Sequence, residues 1–171
     1  MDFDDTPREA AFRADAVRWL EARAARRSAS AHVVSLFEQD GSGAAEGAWV
    51  ASCRAWQRTK WEGGYGAITW PKEFGGRGGT LMEEFIFGEE EGRFDVSTAA
   101  FNITLGMIAP TILAHGTDEQ REHLPRILSG EEIWCQLFSE PGAGSDLAGL
   151  STRAERDGDD WVVTGQKVWT S

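Results

Sequence analysis

Residues Trp134 to Asp146 read WCQLFSEPGAGSD, and the chain changes its structural period there. Ile133 to Ser139 is a compact apolar run of strand length, so it reads as a buried strand. It breaks into a turn at Pro141, where Gly142 and Gly144 leave the backbone free to bend. The same turn can aim several N–H groups at one anionic or carbonyl acceptor, with Ser139 and Ser145 as additional donors. A plain glycine-rich turn with a helix-capping Ser or Asp accounts for the composition equally well. Two familiar phosphate motifs are excluded. No Lys-Ser/Thr follows the glycines, and G-x-G-x-x-G in a βαβ setting is absent.

N-terminal to this point the pattern is helical. Thr6-Pro7-Arg8-Glu9 is a capping box with proline at the first helical position. Phe12, Ala16, Trp19, Leu20 and Ala24 then recur at helical spacing, which predicts a helix to about Arg27. Residues 28–47 read as a long loop with a short helical turn near Val33 to Glu38. Ala48 to Glu62 is a second helix, with Trp49, Cys53 and Trp56 on one stripe. Gly63 to Gly79 holds seven glycines, which calls for left-handed backbone or close approach. Further capping boxes at Thr80 and Thr117 open helices running to about Arg93 and to Ser129-Gly130. Between them, Ser97 to His115 reads as an apolar helix that Pro110 kinks and Gly116 ends.

C-terminal to the turn, Ser151 to Arg156 and Trp161 to Thr164 alternate around a hairpin-type Asp157-Gly158. Val168 to Ser171 begins or continues another strand. Helices in a block followed by strands in a block predict an α+β chain, not a doubly wound sheet. The helical domain spans 1–130, and 131–171 opens a β domain. A few strands ending without a partner sheet leave open edges, so the sequence is expected to be the front part of a longer protein.

Composition narrows the function. The 171 residues carry 17 Lys and Arg against 28 Asp and Glu, a net charge of −11. That balance excludes nucleic acid as the expected partner, because a phosphate backbone needs clustered cations. No apolar run reaches the length of a membrane span. Six arginines lie among residues 8–27, but interspersed acids make an ordinary solvated helix face a better reading than a transit peptide. Cys53 and Cys135 are far apart and outside any C-x-x-C pair, which fits free thiols in a reducing cytosol. His32, His115 and His123 lack metal-ligand spacing, so no metal site is expected. The acidic run Glu83, Glu84, Glu89, Glu90 and Glu91 reads as a solvated helix face rather than an acid–base or metal site. Trp70 and Phe74 line a substrate or anchor their loop.

Four motifs in order resemble the acyl-CoA dehydrogenase family. Phe138 to Gly149, FSEPGAGSDLAG, is similar to its signature. Trp70 to Gly76, WPKEFGG, resembles its loop between early helices. Gly116-Thr117-Asp118-Glu119-Gln120 with Leu124-Pro125 resembles its G-T-x-E-Q…L-P helix. Gly165 to Ser171, GQKVWTS, resembles its tryptophan-bearing strand. Thr164 stands where Asn is common, and Gln136 where several members carry an aromatic residue.

The resemblance implies an N-terminal helical domain, a β-barrel-like middle domain and a C-terminal four-helix domain, the last absent from these residues. It implies FAD across the β domain. Gln136, Leu137, Phe138 and Ser139 would line the flavin ring, and Ser145 would meet FAD or the acyl-CoA substrate. Trp169, Thr170 and Ser171 would lie along the flavin. The implied reaction is α,β-dehydrogenation of an acyl-CoA in fatty acid or lipid catabolism. Its setting would be cytoplasmic, with electron-transfer flavoprotein as acceptor and a homo- or hetero-oligomer as the assembly. The family's base is a glutamate of the C-terminal domain, so no catalytic residue is assigned here. The alternatives are a non-catalytic helical interaction subunit and an acyl-CoA oxidase or flavin monooxygenase of the same fold.

Overall fold

The computed structural model describes residues 4–28 and 43–170. Ser171, His32 and the helical turn expected at Val33 to Glu38 lie outside them. The chain divides into two compact units, Met1–Ile133 and Trp134–Ser171. The first is helical and the second holds two antiparallel strands, so the class is α+β.

The helices are α1 (Pro7–Glu21), α2 (Gly43–Glu62), α3 (Leu81–Glu91), α4 (Ala109–His115), α5 (Asp118–Arg121) and α6 (Leu124–Leu128). All three expected capping boxes form. Glu9, Glu83 and Gln120 amides donate to the hydroxyls of Thr6, Thr80 and Thr117, and each side chain accepts from the amide of its threonine. Each box satisfies two of the backbone donors that a helix start leaves unpaired.

Four expected helices differ. α2 begins at Gly43, so residues 43–47 are helical where a loop is expected. α1 stops at Glu21, short of Arg27. Beyond it the chain is extended: Arg27 donates to the Arg93 carbonyl at 2.9 Å and Asp95 to the Ala25 carbonyl at 2.8 Å. Those bonds need extended backbone at Ala25 to Arg27, so a longer helix would forfeit them. The segment from Ser97 to His115 is not one α-helix. A 3₁₀ turn at Ala99–Phe101 precedes a π turn at Thr104–Ile108, and α4 follows. Pro110 has no N–H for the carbonyl four residues back, and the wider turn before it absorbs that interruption. Pro125 likewise divides the Thr117 helix into α5 and α6. Gly116 ends α4 with an ordinary φ of −68°.

The first unit is organised around rings. Phe12, Ala16 and Leu20 share one face of α1 and are buried against Trp56 of α2, Ile86 and Phe87 of α3, and Tyr65, Ile68 and Phe94. Tyr65 stacks on Phe87 with centroids 4.6 Å apart, and Trp19 meets Tyr65 at 4.8 Å. Burying each such large side chain contributes roughly 1.5–3 kcal/mol. On the other side of α2, fully buried Gln57 donates to the Leu128 carbonyl at 2.9 Å. α2 thus ties the ring cluster to α6.

The acidic run of α3 is a solvated face only at Glu84 and Glu89, which are exposed. Glu90 is 2% exposed and accepts from Arg13 at 2.7 Å and Arg93 at 2.9 Å. Glu91 accepts from Trp56 Nε1 at 2.6 Å and pairs with Lys60 at 3.1 Å. Buried Glu83 caps α3 and pairs with Arg8. α1 packs along α3, which brings Arg8 and Arg13 over carboxylates distant in sequence.

Trp70 is buried, so it anchors its loop. The loop depends on Gly76: a Cβ there would collide with the Trp70 carbonyl oxygen. Gly88 within α3 has open space around its Cβ position. Gly76→Ala is expected to cost about 2–3 kcal/mol by forced overpacking. Gly88→Ala is expected to add about 0.5–1 kcal/mol by lowering the unfolded chain's entropy and improving helix propensity. Urea unfolding of the two variants measures both, and equal effects would contradict this packing.

Candidate functional site

The expected buried strand at Ile133 to Ser139 does not form. The segment belongs to no ladder, and Leu137 and Phe138 are 51% and 60% exposed. An apolar run is buried only where a neighbouring layer covers it, and none packs there within this unit. The strand expected from Val168 does not form either. Trp169 takes φ 56°, outside extended backbone and unusual for a bulky residue. β1 (Arg153–Asp157) and β2 (Asp160–Thr164) do pair, with Asp157 opposite Asp160. The two-residue connection is Gly158-Asp159, one position beyond the expected Asp157-Gly158. Gly158 has φ 62° and Asp159 is not left-handed, the pattern of a type II′ turn.

The signature turn is short and tight. Glu140 and Ala143 exchange backbone bonds, Glu140 N–H to Ala143 O at 2.8 Å and Ala143 N–H to Glu140 O at 3.1 Å. Pro141 supplies the fixed φ of the first turn position. Gly142 and Gly144 are not left-handed, and a Cβ on either would meet nothing within 4 Å. Neither the turn nor the packing of this unit therefore requires them. The amides of Gly142, Gly144, Ser145 and Asp146 make no hydrogen bond among the described residues. They are open donors beside the exposed Ser145 hydroxyl.

Glu140 organises this unit. Its side chain is 3% exposed. Oε2 accepts from the Ser151 amide at 2.7 Å and the Ser151 hydroxyl at 2.8 Å. Oε1 accepts from the Thr152 amide and Lys167 Nζ, each at 2.9 Å. Hydrogen bonding from Thr152, then the Ser151 amide and the Lys167 ammonium, holds this carboxyl well below the usual carboxylate range. Lys167 also donates to the Phe138 carbonyl at 2.9 Å, and Val168 N–H to the Ser139 carbonyl at 3.0 Å.

Two motifs about thirty residues apart are thus joined. Phe138 and Ser139 lie beside the segment carrying Trp169 and Thr170, with Trp169 88% exposed. Gln136 and Leu137 precede them on the same run, and Ser145 lies beyond the turn. Ser171 is outside the described residues. Sequence reasoning does not single out Glu140, Ser151, Thr152 and Lys167 as site residues. A lone lysine opposite an acid in the signature is the available signal, but its pairing is nonlocal. Among the described residues no group of His, Cys, Asp or Glu is gathered as a metal site, and Cys53 and Cys135 are free.

Residues 6–131 match the family model described as acyl-CoA dehydrogenase, N-terminal domain. The chain belongs to the acyl-CoA dehydrogenase family. It is 47% identical over 119 residues to acyl-CoA dehydrogenase IpdE1 of Mycobacterium tuberculosis, covering 69% of this chain and 31% of that protein. It is 50% identical over 109 residues to acyl-CoA dehydrogenase FadE26 of the same organism, covering 63% and 27% respectively. It therefore spans about a third of the length of these curated relatives. Among solved structures it resembles the ChsE4-ChsE5 complex from M. tuberculosis with TM-score 0.71 and 34% identity, covering all of this chain and 41% of that one. The Tcur3481-Tcur3483 steroid ACAD matches with TM-score 0.66 and 27% identity over the same shares.

The depressed Glu140 value has a sign. Its contribution to stability is complete above the ordinary carboxyl value of 4.5 and is lost progressively as pH falls from there through the lower folded value. A carbon-detected NMR titration of Glu140 is expected to show no midpoint near 4.5; a midpoint at or above it would contradict the anchored geometry.

Proposed function

We propose that this chain forms one wall of the FAD site of an acyl-CoA dehydrogenase. The observation carrying this reading is the joining of the 136–139 run to the segment carrying 169–170 through Lys167, which leaves Phe138 and Trp169 exposed on neighbouring segments. The donor set fits such a cofactor. Leu137, Phe138 and Trp169 offer apolar faces to a flat ring. The open amides around Gly144 and the Ser145 hydroxyl suit an anionic or carbonyl oxygen, and the bare space at Gly142 and Gly144 lets a ligand approach the backbone.

In this reading the helical domain spans 1–130, and 131–171 opens the β domain. Gln136, Leu137, Phe138 and Ser139 line the flavin ring, with Trp169, Thr170 and Ser171 along it. Ser145 binds FAD or the acyl-CoA. Bound FAD supplies the hydride acceptor for α,β-dehydrogenation of the thioester. The chain's own part is to hold the ring in place and exclude water from one side of it. Glu140 is not the base, because both its oxygens are engaged by Ser151, Thr152 and Lys167. The proton-abstracting carboxylate belongs to sequence beyond these residues. Electron-transfer flavoprotein is the proposed acceptor, and the setting is cytoplasmic.

The ChsE4-ChsE5 relative is described as a complex of two named chains. That favours an assembly with a second family member as one form of the working protein.

The test is reduction of bound flavin. The protein carrying this sequence, purified with FAD and kept anaerobic, is expected to lose its visible flavin absorption when an acyl-CoA is added. The panel should include straight-chain and steroid-derived thioesters, the latter because one structural relative is described as a steroid enzyme. Slow reoxidation in air would separate a dehydrogenase from an oxidase. A flavin that dithionite bleaches but no acyl-CoA does would overturn the assignment.

A further inference from the structure

We infer that Glu140 and Lys167 are positioning residues that set where Trp169 stands relative to the Phe138-Ser139 wall. The inference rests on the flavin reading above and adds to it a device that touches neither cofactor nor substrate.

Neither the 136–139 segment nor the 167–170 segment lies in a ladder, so no sheet register fixes their spacing. Among the described residues, three bonds tie the second segment to the first or to Glu140 directly after it: Val168 N–H to Ser139 O, Lys167 Nζ to Phe138 O, and Lys167 Nζ to Glu140 Oε1. Two of the three come from one ammonium. Glu140 is itself immobilised by three donors on Ser151 and Thr152, so Lys167 is tied to a fixed point and not to a swinging side chain.

Trp169 shows what that anchor controls. Its side chain is 88% exposed, so packing within this unit does not hold it. Its backbone takes φ 56°, a conformation that costs energy for a bulky residue and persists where neighbouring bonds over-determine it. The nearest such bonds are those of Lys167 and Val168. Releasing Lys167 removes two of them and lets Trp169 relax toward extended backbone. The wall would then lose its geometry while the helical unit stays intact. Lysine suits the position because one ammonium can serve a carbonyl and a carboxylate together.

The experiment compares Lys167→Met, Lys167→Arg and the parent in the full-length protein carrying this sequence. FAD affinity is read by fluorescence titration, ring environment by visible circular dichroism of the bound flavin, and apoprotein stability by thermal melting. Lys167→Met is expected to weaken FAD about tenfold or more, the scale of a charge-assisted hydrogen bond. It should also change the flavin's visible dichroism while apoprotein melting moves little, because Glu140 keeps its three donors on Ser151 and Thr152. Lys167→Arg, which keeps charge and donors, should restore most of both signals. A Lys167→Met protein that matches the parent in affinity and dichroism overturns the inference. So does a loss that tracks apoprotein melting and is not rescued by arginine, since that marks a merely structural role. A parent protein that takes up no FAD would instead overturn the flavin reading, and this inference with it.

Discussion

A carboxylate buried in a segment without a sheet is the constraint on which the second unit depends. Glu140 sits in a stretch that buries little apolar surface: Leu137, Phe138, Leu147, Trp161, Val163 and Trp169 are all exposed. A two-stranded hairpin alone is marginal in water. What gives the unit a defined shape is therefore polar. Four hydrogen bonds converge on one side chain from residues 151, 152 and 167. A buried charge is tolerable only when its lone pairs are satisfied, and here each oxygen accepts two bonds. The same four bonds close the signature turn onto the residues just before the hairpin's first strand and onto the segment after its second.

The helical unit applies the same logic with more apolar support. Its ring cluster supplies most of the burial, and acids on α3 decide how α1 and α2 meet it. Glu90 is shared by Arg13 and Arg93, and Glu91 by Trp56 and Lys60. Removing one member of such a pair strands the other, at a cost of about 3–5 kcal/mol where burial is complete. The surplus of acids in this chain is thus partly structural. At both Glu90 and Glu140 a carboxylate accepts from elements far apart in sequence.

Local features are legible in the sequence and nonlocal ones are not. The capping boxes at Thr6, Thr80 and Thr117 can be read because donor and acceptor lie three residues apart. The hairpin's existence is legible from alternation and Gly158, but its loop falls one residue beyond the expected place because Asp157 pairs with Asp160. The end of α1 is not legible, since Ala25 to Arg27 are drawn out by residues 93–95. The acids of α3 look solvated because nothing nearby in sequence announces Arg8 or Arg13. Composition alone makes Ile133 to Ser139 look buried, whereas burial is decided by what lies opposite. At the site, family resemblance groups Phe138, Ser139 and Trp169. The interaction that brings them together, from Glu140 to Lys167, has no local signal.

The glycines of the signature turn carry the last step. A glycine is ordinarily explained by left-handed backbone or by a crowded neighbour. Gly142 and Gly144 have neither explanation within this unit, and the amides around them are unbonded. Exposed donors in water are satisfied by water, so nothing internal selects the bare backbone. In the proposed flavin reading, a ligand that approaches closely enough for a Cβ to obstruct would select it. Such a ligand would exchange those hydrations for directed bonds and cover the adjacent rings of Phe138 and Trp169. Binding would then stabilise the unit by mass action as well as being positioned by it. Glu140 is what makes this economical. It fixes the turn in advance, so that little backbone ordering would be left to oppose the binding of a ligand there.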